Sequence, residues 1–342
     1  MYYMHQEIHE QPSIIERLDR MIEPRMIMFR DLFLKKNPKH IILAARGSSD
    51  HACQYFRYIE EICYGLPVSF AAPSVVSMYQ SKMNYENALV IGVSQSGQAQ
   101  DVLSVMREAK KQNALVVSLT NDQTSPMALE ADFSLNLYAN KELSVAATKT
   151  FTAQLYILAK TVSVMTNHAF ENELKRIPQF IGKVFDVEES IKKVAEQFSS
   201  TNFTYILARG PLYAVAQETA LKLLETTYIH AKAYATSDFH HGPFAAIDES
   251  VHTIVFLEKG VMYQDLIEMI NKIELAHGKL VIFTNDESYI NRNPVIYLPE
   301  TAYITSAFVF SCAIQLFAYY VALSKGLNPD QPRGLKKVTI TK

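Results

Sequence analysis

Short apolar runs rich in β-branched residues recur along the chain at His40 to Ala45, Ala88 to Val93 and Leu115 to Leu119. Unbroken hydrophobicity over five or six residues marks strands buried on both faces of a parallel sheet. Between these runs the period changes. From Asp50 to Ile62, Cys53, Phe56 and Ile59 recur at three-residue steps. From Asp101 to Gln112, Val102, Val105, Met106 and Ala109 share one helical face while the charges take the other. Strand, short polar turn, helix, strand is the grammar of a doubly wound α/β sheet. The charged segment Phe170 to Ser200 has no strand-like run and is expected to be helical. Ala307 to Leu323 is the most apolar late stretch, but Ser311, Gln315 and two tyrosines interrupt it. It reads as a core helix, and no uninterrupted apolar run approaches the ~20 residues of a membrane span.

The pattern also repeats. Ile42-Leu43-Ala44-Ala45-Arg46-Gly47 resembles Ile206-Leu207-Ala208-Arg209-Gly210, with Arg46 and Arg209 163 residues apart. Val116-Val117-Ser118-Leu119-Thr120-Asn121-Asp122 resembles Leu280-Val281-Ile282-Phe283-Thr284-Asn285-Asp286, and Asn121 and Asn285 are 164 apart. Two matches at nearly one offset imply two related α/β domains in tandem. The expected division is a helical segment (1–30), a first domain (31–170), a helical connector (171–200), a second domain (201–326) and a Pro-containing tail (327–342).

Sheets of this kind bind ligands at the carboxyl ends of their strands. Ser94-Gln95-Ser96-Gly97-Gln98 sits at such an end, ahead of the helix that begins near Asp101. Two hydroxyls, an amide, a permissive glycine and free backbone N–H groups make a phosphate cradle. The absence of a P-loop lysine suits a sugar monophosphate better than a nucleoside triphosphate. An ordinary serine-rich turn with a helix cap fits the spacing equally well. The second copy reads Glu258-Lys259-Gly260 at the equivalent turn, without hydroxyls, and Pro211-Leu212 where the first has Ser48-Ser49. Ser48 and Ser49 are expected to face the same crevice as the Ser94 turn.

Glu218, Lys222 and Glu225 fall at i, i+4 and i+7 and so share a helical face. Either they form an exposed salt-bridge stripe, or they border a crevice in which a carboxylate shuttles a proton. His241, on the Gly-Pro-bounded loop Asp238-Phe239-His240-His241-Gly242-Pro243, suits acid–base work near neutral pH or is a structural loop histidine. Lys337 is either a solvated tail charge or a lysine that closes over a site and meets a keto sugar.

Composition narrows the classes. The 342 residues suit two domains, and 49% hydrophobic with 20% charged residues provides material for buried cores. A net charge of −2 argues against a chain that lives on nucleic acid or an anionic membrane. Cys53, Cys63 and Cys312 form no CxxC or Cys/His ligand spacing, and the adjacent His240 and His241 make a poor metal pair, so no metal site is expected. The N-terminal MYYMHQEIHEQPS carries no export signal, which gives a cytoplasmic expectation.

Several segments, in this order, resemble the SIS-type (sugar isomerase) amino-sugar-phosphate deaminases and isomerases, and the isomerase portion of glucosamine-6-phosphate synthase. They are Ala45 to Ala52 (ARGSSDHA), Ser94 to Gly97 (SQSG), Ser144 to Lys149 (SVAATK), Ala220 to Glu225 (ALKLLE), Tyr228 to Ala231 (YIHA), His241-Gly242-Pro243 and Asp330 to Leu335 (DQPRGL). The resemblance runs from about Glu7 to the C-terminus. It implies two tandem SIS domains, each a flavodoxin-like parallel sheet flanked by helices. It implies that Ser48, Ser49, Ser94, Gln95 and Ser96 hold the sugar phosphate. Glu225 would move a proton between C1 and C2 with Lys222 beside it. His241, supplied by the other subunit of a homodimer, would help open the ring. Lys337 would contact the open-chain ketose, and Val145 would meet the sugar through its backbone. No cofactor is implied. Ala99, Ala147 and Arg46 stand where the synthase pattern has Thr, Ser and Cys. No cysteine near the N-terminus is placed to hydrolyse glutamine, so a reaction that draws no ammonia from glutamine is expected.

The resulting expectation is deamination of glucosamine 6-phosphate to fructose 6-phosphate and ammonia. A deglycase acting on 6-phosphorylated fructosyl or glucosyl amines is the alternative, and Arg333 with Lys337 favours the deaminase. Simple aldose–ketose isomerisation is a third reading. A non-catalytic sugar-phosphate sensor is the reading from a different class; the stretch Met1 to Lys39 is too short and too acidic for a helix-turn-helix domain.

Overall fold

The computed structural model describes residues 2–292 and 294–337. The apolar runs become strands: β1 (His40–Ala44), β2 (Val68–Phe70), β3 (Ala88–Val93), β4 (Leu115–Thr120) and β5 (Phe133–Asn136). They form one parallel sheet in the order β2-β1-β3-β4-β5. Every residue of β3 and β4 is buried, which is why their sequences do not alternate, whereas the edge strand β5 does alternate.

A second parallel sheet contains β6 (Phe203–Ala208), β7 (His230–Ala235), β8 (His252–Leu257), β9 (Lys279–Thr284) and β10 (Val295–Tyr297). Its order is β7-β6-β8-β9-β10, the same winding as the first. The α/β fold with two doubly wound sheets is thus as the hydrophobic pattern predicts.

The repeat extends to packing. Helix Gln100–Lys111 buries Val102, Val105, Met106 and Ala109, and helix Tyr263–Leu275 buries Leu266, Met269, Ile270 and Ile273 at the matching positions. In each copy these side chains join a hydrophobic cluster with the adjacent strands. The 171–197 region is helical, as Glu171–Lys175, Ile177–Phe185 and Glu188–Gln197. Helix Ser306–Ser324 meets the length and hydropathy of a membrane span, but 89% of its window is buried within the protein, as in a core helix.

Two compact units contain these sheets. One comprises Ser13–Glu142, Lys149–Lys175 and, at the C-terminus, Lys336 and Lys337. The other comprises the residues up to Pro12, Leu143–Thr148 and Arg176–Leu335. They are called here the first-sheet and second-sheet units.

Candidate functional site

In the first-sheet unit the chain leaves β3 into Ser94-Gln95-Ser96-Gly97 and enters helix Gln100–Lys111. The loop is built from local hydroxyl turns: Gly97 N–H donates to Ser94 Oγ (3.2 Å) and Gln98 N–H to Ser96 Oγ (3.3 Å). Each hydroxyl thereby accepts one bond and keeps its own O–H to donate. The Gln95 carbonyl accepts from Asn121 N–H (3.0 Å) and Thr120 Oγ1 (3.3 Å) at the end of β4, which fixes the loop to its neighbour. Gly97 has φ 65°, and a Cβ there would fall 2.0 Å from Ser125 Oγ, so both conformation and space require glycine. The loop ends at a helix N-terminus, where negative charge is favoured. Asp101, in the first turn of that helix, is offset by Arg46, whose Nε donates to its carboxylate at 2.8 Å.

Beside the loop is a cleft of about 670 Å³, lined by Gln95, Ser96, Asn121, Glu142 and Lys337 among others. Lys337 is ion-paired with Glu142, a carboxylate that is fully buried and also accepts from Thr150 N–H (3.1 Å) and Thr150 Oγ1 (2.7 Å). Asn121 is held by Asn140 and Ala139, its Nδ2 donating to the Asn140 carbonyl (2.6 Å) and its Oδ1 accepting from Ala139 N–H (3.0 Å). Three of the residues singled out from sequence, Gln95, Ser96 and Lys337, therefore line one cleft.

The remaining first-sheet candidates sit elsewhere. Ser48 and Ser49 open helix Ser48–Cys63, and neither they nor Ser94 line that cleft. Ser49 is buried, and its Oγ accepts from Gln154 Nε2 at 3.0 Å.

In the second-sheet unit the Glu218–Lys222–Glu225 face is inward. Lys222 and Glu218 are wholly buried, and Glu225 is 22% exposed. Lys222 Nζ lies 3.4 Å from Glu218 and 2.5 Å from Glu225, so the exposed-stripe reading of this motif is excluded by burial. His241 is exposed, in a turn where its N–H donates to the Asp238 carbonyl (3.1 Å), ahead of Gly242 at φ 134°. Val145 donates its N–H to the Asp330 carbonyl (3.1 Å). Tyr228 carries Arg333 over its ring at 4.1 Å and bonds its N–H through the phenol oxygen at 2.9 Å.

The carboxyl ends of the second sheet keep the framework of the first but not its hydroxyls. Gly47 and Gly210 share φ 56°. Arg209 and Asp265 (3.5 Å) repeat Arg46 and Asp101. Asp286 N–H donates to Thr284 Oγ1 (3.0 Å) as Asp122 N–H does to Thr120 Oγ1 (3.2 Å). Where Ser94 stands in the first copy, the second has Glu258, whose carboxyl is pushed up to about 7 by burial, with the nearby Ser306 hydroxyl opposing.

Both halves of the chain match one family model, that of the SIS domain, over residues 34–163 and 197–325. The chain belongs to the SIS family. Among its relatives, the glutamine–fructose-6-phosphate aminotransferase (isomerizing) of Aquifex aeolicus is 33% identical, over 99% of this chain and 58% of that protein. The enzyme of the same name from Pseudomonas putida is 31% identical, over 99% of this chain and 59% of that protein. The SIS chain therefore spans under two thirds of the length of these relatives. A solved structure, the C-terminal domain of glucosamine-fructose-6-phosphate aminotransferase from Francisella tularensis, superposes with a TM-score of 0.89 at 29% identity. It covers 97% of this chain and 98% of that domain.

Sequence reasoning missed Glu142, Glu218 as a buried partner, and the Arg46–Asp101 pair. The last had a signal: Arg and Asp recur at 46 and 101, and again at 209 and 265.

Proposed function

We propose that this chain is a phosphosugar isomerase that deaminates glucosamine 6-phosphate to fructose 6-phosphate and ammonia. The supporting observation is the first-sheet cleft, in which Gln95 and Ser96 at a helix N-terminus face the same space as the Lys337–Glu142 pair. A dianionic phosphate suits the loop's hydroxyls, N–H groups and helix end. A lysine held on a buried carboxylate suits the open-chain sugar.

In this reading Gln95 and Ser96 bind the phosphate in that cleft, and Val145 contacts the sugar through its backbone. His241 assists ring opening, which exposes the C1 aldehyde. Glu225, beside Lys222, takes the proton from C2 and returns it to C1. The C2 amine becomes a ketimine, and addition of water releases ammonia and leaves the C2 ketone. The substrate's own carbonyl accepts the electron pair. The acting species is a homodimer.

The test is ammonia and fructose 6-phosphate release from glucosamine 6-phosphate, with fructosyl-amino-acid 6-phosphates run in parallel. Stoichiometric ammonia supports the deaminase. Free amino acid from an adduct, without ammonia from glucosamine 6-phosphate, replaces it with the deglycase. Binding without turnover of either replaces it with a sensor.

A further inference from the structure

A second cluster, in the second-sheet unit, takes no part in the reading above. Helix Tyr3–His9 puts His5 and His9 one turn apart on one face. His5 Nε2 lies 2.7 Å from Glu188 Oε1, and His9 Nε2 lies 2.9 Å from Glu188 Oε2. The three ligand atoms are all within 4.8 Å of one another. Tyr320 donates its hydroxyl to Glu188 Oε1 at 2.6 Å and so orients the carboxylate.

The cluster is preorganised. His9 stacks on Phe185 with centroids 4.0 Å apart, and His5 packs against Tyr319 at 5.1 Å. Asp330 accepts from the N–H groups of Tyr3 (2.8 Å) and Met4 (2.7 Å), fixing the first turn of the histidine helix. Glu7, in the middle of the same helix, accepts from Ser144 Oγ at 2.6 Å. Side-chain exposure is 14% for His5, 16% for Glu188 and 35% for His9, so the site is shielded but has an entry path.

We propose that His5, His9 and Glu188 bind a borderline first-row divalent cation, Zn²⁺ being the representative probe. Two imidazole nitrogens and one carboxylate are a donor set such ions accept, and His-x-x-x-His is a spacing that helical zinc ligands use. Mg²⁺ and Ca²⁺ favour all-oxygen sites and are selected against. Metal bonds of about 2.0–2.2 Å in a tetrahedron separate ligand atoms by about 3.3–3.6 Å. The two observed histidine–carboxylate contacts need therefore open by about 0.4–0.9 Å. Tyr320 then acts as the outer-shell donor to the ligating carboxylate. Among the described residues the other such cluster, Asp19, Glu23 and Glu171, already surrounds the buried Lys160 ammonium, which lies 3.0 Å from Asp19 and 2.8 Å from Glu23.

The ion would join helix Tyr3–His9 to helix Glu188–Gln197 and stabilise the folded chain by mass action. The experiment is calorimetric titration of the chelator-treated full chain with Zn²⁺, and with Mg²⁺ as control. One saturable equivalent of Zn²⁺, no Mg²⁺ binding, and a rise in unfolding midpoint with Zn²⁺ are expected. His9→Ala should weaken Zn²⁺ binding at least tenfold and abolish the midpoint rise. Tyr320→Phe, which keeps all three ligands, should weaken it by roughly tenfold. Zinc X-ray absorption on the unmutated protein, which depends on no variant folding, should report two imidazoles. Absence of saturable Zn²⁺ binding, a shell containing sulfur or lacking imidazole, or unchanged affinity in folded His9→Ala would each overturn the proposal.

Discussion

Replacing Gly97 with alanine puts the geometry of the β3 loop to a quantitative test. The added Cβ would lie 2.0 Å from Ser125 Oγ, 2.5 Å from Ser125 Cβ and 2.9 Å from Thr120 Oγ1. Ser125 cannot turn away without loss, because its hydroxyl donates to the Asp122 carbonyl (2.6 Å) and accepts from Ala128 N–H (3.4 Å) to cap helix Pro126–Glu130. Overpacking of this kind costs about 1–3 kcal/mol. A left-handed backbone at φ 65° adds about 1–2 kcal/mol for a residue with a Cβ. The expected destabilisation is thus about 2–5 kcal/mol. Urea unfolding followed by circular dichroism measures it, read at the earliest transition because a chain with two compact units need not unfold in one step. Ser125→Gly separates the two components. Glycine in place of a capping serine costs only a few tenths of a kcal/mol, so the double variant should recover the two shortest steric contacts and retain the backbone part and the 2.9 Å contact with Thr120. Stability of Gly97→Ala within about 0.5 kcal/mol of wild type, or no coupling to Ser125→Gly, would refute the reasoning.

Glu225→Gln is expected to abolish ammonia release while leaving sugar-phosphate binding near wild type by calorimetry; full activity would remove Glu225 from the reaction. Lys222→Met takes the ammonium from between two carboxylates and should destabilise by about 3–5 kcal/mol in urea, with a loss below 1 kcal/mol counting against the buried pair. Lys337→Met should lower kcat at least tenfold yet leave the protein folded by circular dichroism, because Glu142 keeps both Thr150 hydrogen bonds; unchanged kcat would place Lys337 outside the chemistry. Glu258 has a folded-state value raised from 4.5 to about 7, so its contribution is fully present below pH 4.5 and is lost as pH rises to 7. Glu258→Gln should remove roughly 3 kcal/mol of that slope, seen as a flatter pH dependence of the urea midpoint and a more stable protein above pH 7; an unchanged slope would mean the carboxyl is hydrated.

The strands and the first-copy helices were legible because burial on both sheet faces leaves an unmistakable local signature. β3 and β4 are apolar throughout for one reason, the absence of a solvent face, and that reason needs no knowledge of partners. The orientation of Glu218–Lys222–Glu225 was not legible. Periodicity states which residues share a face, but an exposed ion-pair stripe and a buried one have the same spacing. The Lys337–Glu142 pair joins residues 195 apart with no intervening pattern, so only the folded chain brings it into view. The His5-x-x-x-His9 spacing was present in the sequence, but its third member, Glu188, lies 179 residues beyond His9 and in an unrelated helix.

The two copies diverge in a way that separates folding from chemistry. What they share is what a parallel sheet needs to turn its chain: glycines at φ 56° after β1 and β6, an Arg–Asp pair in each copy, and hydroxyl turns after β4 and β9. What they do not share is the side chains of the turn that follows β3 and β8. The first copy presents Ser94 and Ser96, and the second a half-buried Glu258 and the exposed Lys259. If the hydroxyls were needed for folding, the second sheet would have kept them; it winds in the same order without them. The serines of the first copy are therefore free of structural duty at the level of the sheet, and a binding role is the explanation that remains for Ser96, which lines one cleft with Lys337. On this argument Ser96→Ala should weaken phosphosugar binding while leaving the urea midpoint within about 0.5 kcal/mol of wild type; a larger stability loss with unchanged binding would return the loop to the status of an ordinary helix-capping turn.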